Sequence, residues 1–238
     1  MVQRRLGEAL VLGALLAVGL VGAGAMLAGG LAKFKSLDRV VSVKGLSERE
    51  VPADIAIWPI RFSEADNDLA RLYATLESKN AAIVEYLKSA GFEASEIGTS
   101  VPAIQDRLAQ GYAGERVSFR YAGTSTITVY TGRVDAVLAA RIGLYDLGRK
   151  GIAVAGSDYE ARTEFLFTKL NEIKPAMIEE ATRNARQVAE KFAQDSDSRL
   201  GKIRSANQGQ FSIDDRDSNT PHVKRVRVVS TVEYYLAD

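Results

Sequence analysis

The feature that most constrains this chain is the apolar run at its beginning. No charged residue occurs over residues 9–32, and Arg4 and Arg5 precede the run. At a helical rise of about 1.5 Å per residue the run reaches roughly 36 Å, whereas the hydrocarbon core of a bilayer is about 30 Å thick. We therefore expect residues 9–32 to form one transmembrane helix behind a short tail, residues 1–8.

Two interpretations of this segment remain open. A secretory signal also begins with basic residues, and Ala23-Gly24-Ala25 offers a small-x-small cleavage site. The run continues through Leu31, which is longer than an ordinary signal needs and favours an uncleaved anchor. In both cases residues 33–238 are exported. Since long domains translocate largely regardless of charge, the short tail favours an N terminus inside, which predicts a single-pass inner-membrane protein with its C-terminal domain in the periplasm.

The charge of the exported part is balanced. Setting aside Arg4, Arg5 and Glu8 leaves 29 basic and 29 acidic residues beyond residue 32. A nucleic-acid-binding protein usually presents a basic face, so this balance argues against nucleic acid as a partner. The chain contains no cysteine, which excludes thiol catalysis, cysteine-based zinc sites and disulfides.

Beyond Arg39 the apolar residues follow two periodicities. A period of two indicates strands, and helical spacing indicates helices. Asp66 or Asn67 is a candidate N-cap for the first helix of the body, and Gly91 is a candidate C-cap. We expect strands over residues 39–46, 55–62, 97–108, 117–131, 152–155, 160–167, 201–212 and 223–236. We expect one helix from its N-cap at Asp66 or Asn67 to Gly91, a second over residues 134–147 that Gly148 ends, and a third over residues 170–196. Turns or loops are expected at residue 45 and over residues 47–50, 111–115 and 214–220.

This order of strands and helices predicts an α+β fold, with helices packed on a mostly antiparallel sheet. Pro59 in the second strand indicates an edge or a bulge, because proline cannot donate to a ladder. No Pro/Gly/Ser linker interrupts the body, and residues 148–156 are the candidate seam between two lobes, residues 39–150 and 151–238.

The longest predicted helix is rich in alanine. Pro175 is compatible with this helix only if it lies in the first turn. The alanines would let a neighbouring element approach closely, and we favour a packing face within the molecule over an oligomer contact. The predicted buried stripe consists of Leu170, Ile173, Met177, Ala181, Ala185, Val188 and Phe192.

Six segments follow one another in a recognisable order along the body: Val41–Gly45, Glu50–Ala56, Leu87–Gly91 followed by Ile97 and Thr99, Glu180–Lys191, Leu200–Ile203 and Val226–Tyr234. Their order and spacing over residues 39–236 resemble the SIMPL-domain family of bacterial periplasmic and envelope proteins, related to an oxidative-stress protein and a periplasmic immunogenic protein. The resemblance implies a two-lobed α+β body and, from at least one member, a ring- or barrel-like homo-oligomer. It carries over no catalytic residues, because none is established for the family.

One polar loop invites a metal hypothesis. Asp215, Asp217 and Asn219 have the spacing with which a calcium loop begins. Thr220 stands where such a loop needs glycine, and Val226 stands where it needs a bidentate glutamate, so an EF-hand is excluded. A looser calcium contact remains as a hypothesis against a solvated polar turn.

Two aromatic residues and one glycine cluster are the remaining candidates for a functional site. His222 is the only histidine, and without a nucleophile motif around Ser218 or Ser230 a structural role is favoured over catalysis. Trp58 fits a core or edge position better than a ligand platform. The glycines of residues 22–30 lie inside the apolar run and cannot form a phosphate loop. We assign no catalytic, cofactor-binding or metal-ligating residue and expect no cofactor.

The sequence therefore favours a non-enzymatic, membrane-tethered envelope protein that self-associates into a homo-oligomer in envelope or oxidative-stress protection. The competing hypothesis is a periplasmic binding module for a small ligand or divalent ion, using the loop at residues 214–219. An enzyme ranks third among the hypotheses, because the sequence shows no catalytic constellation that supports it.

Overall fold

The computed structural model of the chain describes residues 2–36, 39–109, 118–155 and 161–237. It confirms the predicted α+β class, with two antiparallel sheets. The helices are α1 Val2–Ser36, α2 Leu69–Ser89, α3 Val134–Ile142, α4 Leu144–Arg149 and α5 Leu170–Asp195. The strands are β1 Val40–Pro52, β2 Ile55–Asp66, β3 Ile97–Thr99, β4 Ala103–Asp106, β5 Tyr121–Thr131, β6 Glu164–Leu166, β7 Arg199–Gln208, β8 Ser212–Asp215 and β9 Val223–Ala237.

Helix α1 carries the apolar run. Its segment Gly13–Gly30 has a mean hydropathy of 1.8, and the side chains of that segment are exposed. The segment is long and apolar enough to cross a membrane, and a signal sequence near an N terminus has the same properties. The predicted apolar helix is therefore present, and both interpretations of it stand.

The chain divides into two compact units. The first unit comprises residues 1–48, 174–212 and 227–238, and the second comprises residues 49–173 and 213–226. Each unit is assembled from separate stretches of chain, so the structure divides the chain elsewhere than at the seam predicted between residues 150 and 151.

In the first unit, α5 packs on the sheet whose strand order is β1-β9-β7. The close approach of helix and strand depends on Gly45 of β1. A Cβ atom at this position would lie 1.8 Å from the carbonyl oxygen of Ala181 and 2.4 Å from the amide nitrogen of Ala185. The alanine face of α5 is therefore an intramolecular packing face, as the sequence favoured.

The polar turn predicted at Gly45 and residues 47–50 is wrong, because β1 runs without interruption to Pro52. Gly45 and Ser47 are buried under α5, where Ser47 donates a hydrogen bond of 3.0 Å to Glu180. A buried polar side chain that has a hydrogen-bond partner does not break a strand, and this partner lies far away in the sequence.

The predicted stripe of α5 is partly wrong. Its fully buried residues are Met177, Ala181, Ala185, Ala189 and Ala193, whereas the side chains of Val188 and Phe192 are 40% and 56% exposed. Pro175 lies in the second turn of the helix, and the helix continues through it without the backbone hydrogen bond that proline cannot donate.

In the second unit, the sheet order is β3-β5-β2-β6, and β4 also pairs with β5. Strands β2 and β5 pair over eleven consecutive positions, and the inward faces of the sheet and of α2 and α3 share one core. Pro59 lies on this regular ladder, beyond the three residues of β2 that pair with β6. At Pro59 the side of β2 that faces away from β5 is therefore an open edge, as predicted, and the pairing of β2 with β5 contains no bulge there. The largest fully buried side chains of this core are Phe62, Ile60, Leu72, Leu76, Ile83, Leu87, Ile127, Leu147 and Ile152.

Two helix boundaries in the second unit differ from the prediction. Asp68, not Asp66 or Asn67, is the N-cap of α2 and accepts a hydrogen bond from the amide of Arg71, while Gly91 follows the helix with a φ of +91° as expected. The helix predicted over residues 134–147 breaks at Gly143 into α3 and α4. A Cβ atom at Gly143 would lie 2.3 Å from the hydroxyl of Tyr86, so a larger residue there would have to displace the Tyr86 ring.

Several predicted strands are shorter than expected. The strand over residues 97–108 is two strands, and residues 152–155 contribute only a bridge between Val154 and Phe62. The strand predicted over residues 201–212 is two strands, β7, which ends at Gln208, and β8, which begins at Ser212. Strand β8 also includes the first two residues of the loop predicted over residues 214–220. Strand β9 and helix α5 match their predicted bounds within one residue. The hairpin loop expected at residues 111–115 lies outside the described residues.

Candidate functional site

The loop with calcium-like spacing satisfies its own polar groups. Asp217 accepts hydrogen bonds of 2.8 Å from the amides of Asn219 and Thr220, and it pairs with Arg216 at 3.1 Å. The hydrogen bonds from Thr220 and Arg216 hold the pKa of Asp217 well below its usual range. This arrangement is that of a polar turn closed by an aspartate.

Asp215 turns to other partners. It pairs with Lys224, whose residue is only 8% exposed, and with Arg162 at 3.3 Å. Residues 214–219 therefore do not direct their oxygens to a common point. No group of three His, Asp or Glu residues that could hold a metal occurs among the described residues. The divalent-ion hypothesis thus has no set of ligands in that part of the chain.

His222 lies against the core of the second unit. Its backbone carbonyl accepts a hydrogen bond of 2.8 Å from the amide of Ala53, and its ring contacts Phe165 edge-on, with 6.0 Å between ring centroids. Among the described residues no hydrogen bond joins His222 to Ser218. The buried hydroxyl of Ser230 also has no hydrogen-bond partner there. The structure thus gives no base–nucleophile pair at the serines considered from the sequence.

Trp58 is a core residue. It is 2% exposed and contacts Phe92 edge-on, with 6.4 Å between ring centroids. The predicted core position of Trp58 is confirmed.

Sequence reasoning missed the character of β7. This strand lies at one end of its sheet, and every residue of Gly201–Gln208 is exposed. Its pairing with β9 is irregular at two points between Leu200 and Ser205. Its only charged residues are Arg199, Lys202 and Arg204, all basic. A long edge strand is a template for pairing with another chain, and bulges and basic side chains are the features that restrain such pairing.

An open groove lies above β7, beside α5. Its volume is about 750 Å³. Gly201 and Ile203 of β7 and Tyr234 of β9 line its floor, and Arg183 and Arg186 of α5 lie on one side. A helix is about 10 Å wide and strands are about 4.8 Å apart, so one helix covers about two strands. Of β7 only Leu200 packs against the core under α5, and the rest of the strand is left exposed. The exposed arginines of α5 were visible in the sequence, but the bare strand beside them was not.

Two further clefts lie in the second unit. One, of about 480 Å³, is lined mainly by apolar residues that include Leu144, Ile152 and Val154. The other, of about 400 Å³, lies on the open face of the sheet around Arg61 and Thr126. Neither cleft brings together a nucleophile and a base among the described residues.

Comparison with known protein families gives a match over most of the body. The model of the SIMPL family, described as a protein of unknown function (DUF541), matches residues 41–233. No curated protein matches the chain. The match covers both units of the body and leaves α1 outside.

Proposed function

The chain belongs to the SIMPL family, and we propose that it is a non-enzymatic, membrane-tethered envelope protein whose exported body self-associates. In this proposal α1 stays attached as a single-pass anchor in the inner membrane, and residues 33–238 lie in the periplasm. A part in envelope or oxidative-stress protection rests on the family resemblance alone.

The observation that carries the proposal is the exposed edge of β7. The amide of Gly209 donates to the carbonyl of Val229, and Gln208 and Ala206 follow in the same register. Because hydrogen-bonded and non-hydrogen-bonded pairs alternate in an antiparallel ladder, the amides of Ala206 and Gln208 point away from β9. These groups are available to a strand from a second copy.

The charges of β7 favour one kind of pairing over another. Two copies of β7 would bring three basic side chains against three others with no acidic residue between them, which is destabilising across a ladder. Strand β1 is the other edge of this sheet. It carries Glu48 and Glu50 as well as Lys44 and Arg49, so its charges balance, whereas those of β7 are all basic. We therefore favour head-to-tail pairing of unlike edges, which closes into a ring or extends as a filament.

The alanine-rich face of α5 is not part of this proposal. Ala181, Ala185 and Ala189 are fully buried against the sheet of their own unit. A partner helix would have to displace that sheet.

The test is the mass of the full-length protein in a neutral detergent, measured by light scattering with the detergent contribution subtracted. We expect a multiple of the chain mass of 25.8 kDa at micromolar concentration. Ala206→Pro removes an outward amide without removing a bond to β9 and should return the protein to a monomer. Ser205→Ala is the matched control, because it removes a side-chain hydrogen bond of 3.2 Å to Glu233 and leaves the edge intact.

A wild-type monomer at micromolar concentration would contradict the proposal. A multimer that survives Ala206→Pro would place the association elsewhere, in α1 for example, where Gly19 and Ala23 have the spacing of close-packing membrane helices. The melting temperature of each variant shows that the fold is retained.

A further inference from the structure

The groove above β7 combines an apolar floor with a cationic rim. Ile203 is 49% exposed on this floor, beside the ring of Tyr234, with which it is paired across the ladder. A half-exposed isoleucine at the bottom of a groove loses contact with water when an apolar group enters, which favours binding.

The rim supplies the positive charge. Lys202 lines the groove and has no ion pair among the described residues. Arg183 is only loosely paired, at 3.8 Å from Glu179, which also lines the groove, and Arg186 pairs with Glu190 at 3.0 Å. The side chains of both arginines are at least 60% exposed, so these surface pairs contribute little and can be exchanged for an anionic ligand.

We propose that this groove binds a single-chain anionic lipid, with its acyl chain on Ile203 and Tyr234 and its anionic head between Lys202 and Arg186. The volume of about 750 Å³ lies within the range of about 300–1,000 Å³ that small-molecule sites occupy. The bilayer in which α1 would be anchored is the source of this ligand, since a body tethered at a bilayer meets amphiphiles continuously. A neutral amphiphile would leave the charge of Lys202 without a partner and would give the two arginines nothing in exchange for their surface pairs, so the site is expected to select an anionic head.

This proposal is independent of self-association, because the groove belongs to a single copy. The probe is a palmitate analogue with a diazirine in its chain, which is photo-crosslinked to the full-length protein in neutral detergent micelles. Mass spectrometry of the digested protein then locates the label. Helix α1 lies in the micelle and is labelled in every sample, which provides an internal reference.

We expect label on residues 179–186 and 199–208 that palmitate displaces and hexadecanol does not. Lys202→Gln and Arg186→Gln should each weaken this labelling about tenfold relative to the label on α1, the usual effect of losing one charge-assisted hydrogen bond. Lys44→Gln is the matched control, since Lys44 is exposed on β1 next to the inward-facing Val43 and therefore lies on the opposite face of the sheet. Lys202 is exposed and unpaired among the described residues, so its substitution leaves the fold intact.

Three results would overturn the proposal. The first is label confined to α1, and the second is equal displacement by hexadecanol and palmitate. The third is unchanged labelling of the groove in Lys202→Gln.

Discussion

Replacing Gly45 by alanine is the sharpest test of how the first unit is held together. The new Cβ atom would lie 1.8 Å from the Ala181 carbonyl oxygen, 2.4 Å from the Ala185 amide and 2.9 Å from the Ala185 Cβ. A carbon–oxygen contact normally needs about 3.3 Å, so α5 must withdraw from β1 by roughly 1.5 Å at this point. A gap of 0.5–1 Å already forfeits about a quarter to a half of a dispersion contact, so the alanine face of α5 loses much of its packing.

The expected loss in the free energy of unfolding of Gly45→Ala combines the steric contact, the weakened packing and the change in the unfolded chain. Overpacking of a core costs about 1–3 kcal/mol, and the weakened helix–sheet contacts add to it. Replacing glycine restricts the unfolded chain, which returns about 0.4–1 kcal/mol. We expect a net loss of about 3 kcal/mol in the free energy of unfolding, which for a body of this size lowers the melting temperature by about 6–12 °C.

The measurement is thermal unfolding of the full-length protein in mild detergent, followed by far-ultraviolet circular dichroism, with hydrogen exchange along α5. Gly148→Ala is the control, because nothing lies within 4 Å of its new Cβ atom in α4, and it should stabilise the protein by about 0.5–1 kcal/mol. Ala185→Gly should not rescue Gly45→Ala, since the two shortest contacts involve backbone atoms. If Gly45→Ala unfolded within about 0.5 kcal/mol of the wild type, the close approach of α5 and β1 would be refuted.

Three further predictions concern other parts of the chain. Ser230→Ala should raise the free energy of unfolding by about 1 kcal/mol in chemical denaturation, because it removes a buried hydroxyl without a partner; a loss of stability would show that the hydroxyl is bonded. Hydrogen bonds from Arg133 and Thr131 lower the pKa of Glu96 from 4.5 to about 2, so its stabilising contribution is complete above pH 4.5 and is lost as the pH falls through about 2. Glu96→Gln should therefore cost about 1–2 kcal/mol at pH 7 and flatten the acid side of the stability profile, and a profile as steep as that of the wild type would contradict this assignment. Intact-mass measurement of the protein from membranes should show an end at Met1 or Val2 for an anchor, whereas an end at Met26 would mean a cleaved signal.

The elements that the sequence specified well are those with a strong local pattern. Helix α5 and strand β9 are long and periodic, and their predicted bounds agree with the structure within one residue. The buried stripe of α5 was less predictable, because Val188 and Phe192 are apolar but exposed, while alanines fill the core. By hydrophobicity, valine and phenylalanine are expected to be buried before alanine. The backbone of β1 at Gly45 comes so close to α5, however, that only small side chains fit on this face of the helix.

The features that the sequence could not supply depend on distant partners. The turn predicted at Ser47 failed because its hydroxyl donates to Glu180, more than a hundred residues away. The groove above β7 was equally out of reach, since it requires knowing that α5 covers β1 and β9 and, of β7, only Leu200. The calcium hypothesis weakened for the same reason, because the partners of Asp215 include Arg162, on a separate stretch of chain.

The connection between α1 and β1 has a consequence for how copies meet. Helix α1 ends at Ser36 and β1 begins at Val40, so the intervening chain extends at most about 14 Å. In an anchored protein the start of the first strand is therefore held near the bilayer. Encounters between bodies then occur in two dimensions, and assembly responds to the surface density of the protein and not to its concentration in the surrounding volume. Extraction into dilute detergent removes that confinement, so a small assembly in solution is compatible with a larger one on the membrane.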